Sequence, residues 1–497
     1  MNDALMPLLV AVPLAGAGLS AFGRPGSRWP LALLGVVLLA NLVGGAVLLT
    51  ATADGTVLAH SVGAWPAGIA IPFVGDALSA LMITVTALLT GVCAWFAVAA
   101  GTGRLPLFAP LVMALTAGVN GALLTADLFN LFVFVEVMLL PSYGLLILSR
   151  RREGTAEAVT GSRLYVTFNL FVSTVLLAGI ALVYGTAGTV NLAELAGAAA
   201  ESSLVAAATA VCLFAFAMKA AVAPSHGWLA RTYPSTSPAV TALFSGLHTK
   251  VAIYAIYRIY AVVFDGDDRY LWIGIVMFSA TMLVGVLGAV GEDTMRSILS
   301  FNMISGIGYV LVGVALFTPA GLAAGLFYLV HHMIAKASLL LSAGAVETHH
   351  GTGRLDDLRG LVRRQPLLAA AFGMAALSLA GLPPFSGFVA KLSLVLAAVD
   401  ADRFVVVAIV IGASLLSLLS LLRIWNAVFA GPRPDEAAEA SHPASRTPVR
   451  TSLVVPSVVL AVVTLGLGLG AEVLLDLTST AAAGLLDTTP YVTAVVR

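Results

Sequence analysis

The sequence predicts an all-α, polytopic membrane protein, and three observations carry that expectation. Sixty per cent of the 497 residues are hydrophobic and only 10% are charged, whereas soluble domains hold near a quarter charged residues. Apolar runs alternate with short polar gaps along the whole chain, and most runs reach the roughly 20 residues that cross a hydrocarbon core about 30 Å thick. The basic residues of the gaps fall almost entirely on alternate sides.

In chain order the runs predict about fourteen spans. The first, 4–21, follows the acidic start Met-Asn-Asp. With no basic region ahead of it, it reads as a retained helix and not as a cleaved signal peptide. Spans 30–50 and 76–100 follow, then 105–125, 127–149 and 164–184. The gap 185–202, rich in Ala and Gly with Glu194 and Glu201, is expected to form a short surface helix. The seventh run, 203–231, is overlong, and 238–262, 271–290, 297–317 and 321–344 come after it. The twelfth, 366–399, is overlong again, and 402–430 and 452–475 complete the series. The gap 431–450 reads as a flexible connector. No gap is long enough for a soluble domain. Cys93 and Cys212 both fall inside spans and read as packing residues, so no disulfide or metal framework is expected.

Arginine sets the expected orientation. If the gap 22–29 is cytoplasmic, sixteen gap arginines (Arg24, Arg28, Arg104, Arg150 and so on to Arg450) lie inside and only Arg269, Arg403 and Arg497 outside. That is a strong positive-inside bias, and it puts both termini on the outer side. The formal net charge is zero and no basic block suggests a nucleic-acid partner. The lipid bilayer is the expected environment.

The two overlong runs carry helix breaks. A straight helix over 366–399 would be about 51 Å long, well beyond the core. Its middle holds Gly381, Pro383 and Pro384, and proline removes a backbone donor and clashes with the preceding turn. Run 203–231 breaks near Pro224 for the same reason. Irregular backbone at membrane depth survives only where protein buries it or a wet cavity solvates it. The breaks lie five spans apart on helices of opposite direction. Spans 4–8 and 9–13 are therefore expected to be two inverted five-helix repeats, with broken helices 7 and 12, around a midplane site. The organisation expected is 1–100 for helices 1–3, 105–262 and 271–430 for the two repeats, and 431–497 for the connector and helix 14.

The charges inside the spans are few and specific. All four lysines, Lys219, Lys250, Lys336 and Lys391, fall in spans, while nineteen of 21 arginines fall in gaps or at a terminus. Arginine stays charged, but a buried lysine can release its proton. High-GC codon usage accounts for arginine in the gaps but not for lysines away from helix ends. Of the 25 acids, Glu136 alone sits near mid-helix, and it needs a partner or a proton. Lys219, two spans later, is the expected partner; a protonated Glu136 bonded to a backbone carbonyl is the alternative. His248 and Lys250 are about 200° apart on their helix and face different neighbours. Tyr328, His332 and Lys336 recur every four residues and line one face, which points to a hydrogen-bonded path. His331 and His248 read equally well as satisfied core residues. "GLGLGA" at 466–471 lacks the strand–turn–helix setting of a dinucleotide site. No nucleophile with a base, metal cluster or phosphate loop is visible, so no cofactor, metal or enzymatic chemistry is expected.

The stretches "LFNLFVFVEVMLL", "FAFAMKAAVAPSHGWLARTYPSTSPAVTALFSGLHTKVAIY", "MRSILSFNMISGIGYVLVG", "HHMIAKASLLLSAGAVE" and "LAGLPPFSGFVAKL" resemble the antiporter-like subunits shared by respiratory complex I and the multisubunit Mrp cation/proton antiporters. The resemblance covers roughly 70–430. It implies a fourteen-helix subunit of a hetero-oligomeric complex, with a chain of charged residues along the membrane midplane. By position, Glu136 falls on the family's fifth-helix glutamate, Lys219 on the lysine of the broken seventh helix and Lys250 on that of the eighth. His332 and Lys336 fall in the polar eleventh helix and Lys391 on the charged position of the broken twelfth. Lysine at that last position argues against the M-type subunit of complex I; the N-type remains a rival.

The expected function is proton translocation within a Na⁺/H⁺ antiporter complex in a prokaryotic cell membrane. Glu136 and Lys219 would form a switchable pair that drives a proton to Lys250, past His332 and Lys336, to Lys391. The rivals are a redox-driven proton pump of the complex I type and a stand-alone solute permease. The permease reading expects a solute-sized cavity at Pro224 and Pro384. Sodium prefers several oxygen ligands, and Glu136 has no companion carboxylates at its depth, so the sodium path is expected elsewhere in the assembly.

Overall fold

The computed structural model describes residues 3–24, 26–65, 70–153, 156–430 and 448–496. Most of the connector expected at 431–450 lies outside the described residues, as do Arg433 and Arg446. Helices dominate. In order they are α1 (Leu8–Ala21), α2 (Trp29–Thr52), α3 (Ala77–Ala100), α4 (Phe108–Leu124), α5 (Leu128–Glu153) and α6 (Ala156–Ala187). Next come α7 (Ala198–Glu201), α8 (Ser203–Lys219), α9 (Gly227–Thr232), α10 (Pro238–Phe264), α11 (Leu271–Gly291), α12 (Met295–Leu316) and α13 (Pro319–His350). The series closes with α14 (Leu361–Arg364), α15 (Pro366–Ala380), α16 (Ser386–Asp400), α17 (Phe404–Ile424), α18 (Thr451–Leu469), α19 (Ala471–Leu486) and α20 (Thr489–Val496).

Eleven helices among the described residues are long and apolar enough to cross a membrane, and Phe108–Leu124, Ser203–Lys219 and Pro366–Ala380 are shorter apolar helices. The chain is therefore a multi-pass membrane protein. The helix ends follow local chemistry. Asp76 and Ser79 form a reciprocal capping box at the start of α3, satisfying two amides that the first turn leaves free. Thr294 and Thr318 cap α12 and α13, and proline opens α10 and α13 at a position that needs no N–H.

Three features depart from the sequence expectations. The gap between the second and third spans holds a hairpin, β1 (Leu58–Ser61) antiparallel to β2 (Pro72–Gly75). The strands are too short to give a clear alternating pattern. The gap 185–202 contains only one helical turn, α7. The span expected at 452–475 stops at Leu469 and restarts at Ala471 around Gly470, then runs on to Leu486. Glycine weakens a helix interior, and this one marks the bend.

Burial sorts the helices into a core and a shell. The apolar stretches of α10 and α13 are wholly buried and that of α12 nearly so, while α2, α6, α11 and α17 bury well under half of theirs. α13 packs against α3, α10, α12, α15, α16, α18 and α19. A helix buried all round has no lipid-facing side, so its polar residues face protein. Other helices are tied to one another by polar contacts as well: Asn120 of α4 donates to Leu9 O of α1 at 2.7 Å and to Asn41 Oδ1 of α2 at 2.6 Å.

The molecule has two dissimilar ends. At one, the hairpin, the loops after α4 and α6 and the last turn of α10 join through Ala126 N–H to Pro72 O, Leu128 N–H to Val190 O and Gly197 N–H to Val262 O. At the other, Met295 N–H binds Gly353 O and Leu355 N–H binds Asp293 O. Arg423 donates to Val290 O and Glu292 O. We call these the hairpin end and the arginine end.

Candidate functional site

Both proline-marked runs are interrupted, and by the same local device. α8 stops at Lys219: Ala221 N–H binds Met218 O at 3.0 Å, Val222 N–H binds Ala217 O at 3.0 Å, and Ala221 takes φ 62°. α15 stops at Ala380 in the same pattern. Gly381 N–H binds Ser378 O at 3.0 Å, Leu382 N–H binds Leu377 O at 3.1 Å, and Gly381 takes φ 90°. This pair of bonds over a left-handed residue is the Schellman ending. Glycine takes that conformation without strain, whereas Ala221 holds it at a cost. The backbone groups freed by the first break find side-chain partners. Thr281 of α11 accepts the Ala223 N–H at 3.0 Å, and the Trp228 indole donates to Met218 O at 3.0 Å.

Each break holds a lysine at the C-terminal end of its first half-helix. Lys219 is the last residue of α8. Lys391 belongs to α16 but reaches back across the break to donate to Ala380 O at 2.9 Å. Its ammonium also lies 5.3 Å from the centroid of the Tyr309 ring. A helix C-terminus carries partial negative charge and unpaired carbonyls, so it steadies an ammonium at membrane depth.

Glu136 of α5 and Lys219 do not form a direct ion pair within 4 Å; Ser173 of α6 stands between them. Its hydroxyl donates to Glu136 Oε1 in a short bond, and Lys219 Nζ donates to Ser173 Oγ at 3.3 Å. Ser173 is buried and Glu136 is half-buried. The two charges remain within electrostatic reach of each other. Sequence reasoning missed Ser173, because a lone serine among apolar residues looks like any small packing residue.

The four lysines are buried, with Lys219, Lys250, Lys336 and Lys391 exposing 5%, 0%, 1% and 7% of their surface. Lys250 Nζ donates to Thr249 Oγ1 at 3.2 Å. His248, on the other side of α10, lies within electrostatic reach of Lys219. Lys250 and Lys336 are similarly close to each other. His332 is within reach of Lys250, Lys336, His331 and Lys391. Neither ring nitrogen of His332, nor Lys336 Nζ, has a hydrogen-bond partner among the described residues. His331 shares a bond of 2.9 Å between Nδ1 and Ser386 Oγ, at the first residue of α16. Tyr328 stacks on Tyr309 at 4.9 Å between centroids and lies beside His331 and His332. The residues singled out in the sequence thus fall into two groups, Glu136, Lys219 and His248, joined in part by Ser173, and Lys250, Lys336, His332, His331 and Lys391, with His248 and Lys250 two residues apart on α10. Ser386 and Tyr309 are further members that their own sequence context did not reveal.

At the arginine end a polar cleft of about 1070 Å³ opens between the ends of α6, α9, α12 and α13, lined in part by Arg231, Arg296, Ser297 and Glu347. Arg296 Nε pairs with Glu347 Oε2 at 2.6 Å, and its Nη1 donates to Thr236 O and to Thr241 Oγ1. Thr241, Ser245 and His248 follow at i, i+4 and i+7 on one face of α10. Neither this cleft nor the apolar groove between α8, α10 and α11 is lined by Pro224 or Pro384. Among the described residues no group of three or more His, Cys, Asp or Glu is placed to hold a metal ion.

A multi-pass helical protein with two interrupted helices and a buried row of lysines and histidines is, in class, a transporter and not a soluble enzyme. Comparison with known proteins makes this particular. Residues 125–417 match the family model for the NADH:quinone oxidoreductase/Mrp antiporter transmembrane region, and the chain belongs to that family. It is 36% identical over 441 residues to the D-type subunit of the Na⁺/H⁺ antiporter of Alkalihalophilus pseudofirmus, covering 88% of this chain and 87% of that protein. It superposes on a chain of the Mrp complex from Dietzia sp. DQ12-45-1b with a TM-score of 0.96 and 52% identity, over 100% of this chain and 99% of that one. A chain of Thermus thermophilus respiratory complex I gives a TM-score of 0.79 at 24% identity, over 97% and 100% of the two chains; this likeness is of fold.

Proposed function

We propose that the chain is the D-type, proton-translocating subunit of a multisubunit Na⁺/H⁺ antiporter in a prokaryotic cell membrane. The observation that carries the reading is the mostly buried row of titratable groups from Glu136 to Lys391, whose middle members lie on the buried helices α10 and α13. The rival role in a complex I-type pump uses the same groups. The higher identity of the antiporter relatives, 36% and 52% against 24%, favours the antiporter. The permease reading expects a cavity at Pro224 and Pro384, and neither residue lines the cleft or the groove described above.

The eleven long helices and three short apolar ones support a count of fourteen. The matching endings of α8 and α15, five spans apart, support inverted repeats over 105–262 and 271–430, preceded by helices 1–3 in 1–100 and followed by the connector and helix 14 in 431–497. The arginine end is the cytoplasmic side, since the gaps carrying Arg24, Arg104, Arg231, Arg296 and Arg354 lie there. Both termini are then on the outer side.

In the proposed cycle Ser173 couples Glu136 to Lys219. While the coupling holds, the negative charge of Glu136 favours the charged ammonium. When Glu136 turns away, the buried lysine is left without compensation, and its proton passes to His248 and Lys250. Lys336, His332 and Lys391 continue the path. The polar face Thr241–Ser245–His248 leads from the cleft to the series and is the proposed cytoplasmic access. Sodium is not assigned a site in this chain.

Affinity purification of the tagged chain from its native membrane tests the assembly. Small hydrophobic antiporter subunits are expected to co-purify. Flavin- and iron–sulfur-containing partners would instead place it in a complex I-type pump.

A further inference from the structure

On the membrane-facing side at the hairpin end, an apolar groove of about 420 Å³ runs between α8, α10 and α11. From α8 it is lined by Ala206, Ala210 and Ala217, from α10 by Ile256, and from α11 by Gly274 and Phe278. The α8 residues share one helix face at i, i+4 and i+11. The only polar side chains in the lining lie at its hairpin-end mouth, on Ser203, Tyr260 and Tyr270, and the Tyr260 hydroxyl is already bonded to Asp267 O at 2.5 Å.

Three features of the groove select its occupant. A polar solute finds no bonding side chains along its length. A helix is about 10 Å or more in diameter, so a neighbouring helix would seat only side chains in a space of about 420 Å³. An extended hydrocarbon chain does fit, since 420 Å³ holds roughly fourteen units of about 30 Å³, the share of a water molecule and close to that of a methylene. The depth agrees as well. From Ser203 to Ala217 the groove follows about 21 Å of helix, enough to cross one leaflet's half of a core about 30 Å thick. Tyr260 and Tyr270 stand where interfacial aromatics meet headgroups. The adjoining loop carries Asp265, Asp267 and Asp268 against Arg269, and Arg269 is already paired with Asp267 at 2.5 Å. Its net negative charge complements an amine-bearing headgroup.

We infer that this groove is a lipid site that holds one acyl chain of a phosphatidylethanolamine-type phospholipid, packed along the half-helix that ends at Lys219. The site is independent of the proton path proposed above.

The test uses the intact complex in vesicles of phosphatidylethanolamine and phosphatidylglycerol. A phosphatidylethanolamine probe with a photoreactive acyl chain is added, and the labelled peptides are mapped. Labelling of 203–217 and 271–278 is expected several-fold above that of the exposed α17 face around Val405, Ile411 and Leu415. Ala210→Phe or Ala207→Phe, at exposed positions of α8, fills the groove and should remove that excess while the complex still assembles. Extra phosphatidylethanolamine should compete with the probe better than phosphatidylglycerol does. Labelling no stronger than on α17, or excess labelling that survives both variants, would overturn the site. Equal competition by the two lipids would overturn the headgroup assignment.

Discussion

Ser173 shows how much one hydroxyl can decide. It is both donor and acceptor, so it links a carboxylate to an ammonium that do not touch. A hydrogen bond to a charged group contributes about 1.5–3 kcal/mol, so Ser173→Ala is expected to lower exchange by roughly tenfold or more. Ser173→Thr, which keeps the hydroxyl, should retain most of it. Exchange assays in vesicles carrying the assembled complex distinguish the two. His332 allows a similar test without touching a titratable group. A Cβ on Gly306 would lie 2.2 Å from His332 Nε2, so Gly306→Ala must push the imidazole out of place. Loss of exchange in a complex that still assembles is the expected outcome. The lysines, Glu136 and His332 were legible in the sequence because charge and polarity are rare at membrane depth. Ser173, Ser386 and Tyr309 were not, because hydroxyls and tyrosines also occur there as ordinary packing residues.

The two interrupted helices belong to the next scale. The prolines announced both breaks, and the overlong runs said roughly where they fall. The endings themselves were less legible. Gly381 is an expected left-handed terminator, but Ala221 takes the same conformation with no residue-type signal at all. Gly381→Ala should therefore do two things. The substitution strains a backbone at φ 90° and costs about 1 kcal/mol or more. The new methyl would also lie 2.7 Å from Lys391 Cδ, displacing the lysine from Ala380 O. A lower thermal midpoint together with reduced exchange is expected; thermal denaturation and transport of the same preparation check both. The hairpin and the bend at Gly470 escaped the sequence for a simpler reason. Four-residue strands and a lone glycine in an apolar run carry little periodic signal.

Across the whole molecule, the middle of the polar series, from His248 to Lys336, lies on α10 and α13, whose apolar stretches are wholly buried, while Glu136 and Ser173 lie on α5 and α6, which bury less than half of theirs. At the hairpin end this core is closed by a buried ion pair that sequence reading did not identify. Arg258 of α10 pairs with Asp76, the cap of α3, and lies 4.7 Å from the centroid of the Tyr491 ring of α20. Removing one partner of a buried pair leaves an uncompensated charge, at about 3–5 kcal/mol. Arg258→Met should therefore destabilise the complex strongly. Adding Asp76→Asn, which keeps a capping side chain, should recover part of the loss. Thermal midpoints of the single and double variants measure that coupling.

The central claim is that protons move along the buried lysines, and Lys250 is the middle link. Lys250→Arg keeps a positive charge there but does not release it, because guanidinium stays protonated. The decisive measurement is Na⁺-dependent proton exchange in vesicles containing equal amounts of assembled wild-type or Lys250→Arg complex. A relay through Lys250 predicts that exchange falls to near background although the charge is preserved. Undiminished exchange in Lys250→Arg would contradict it.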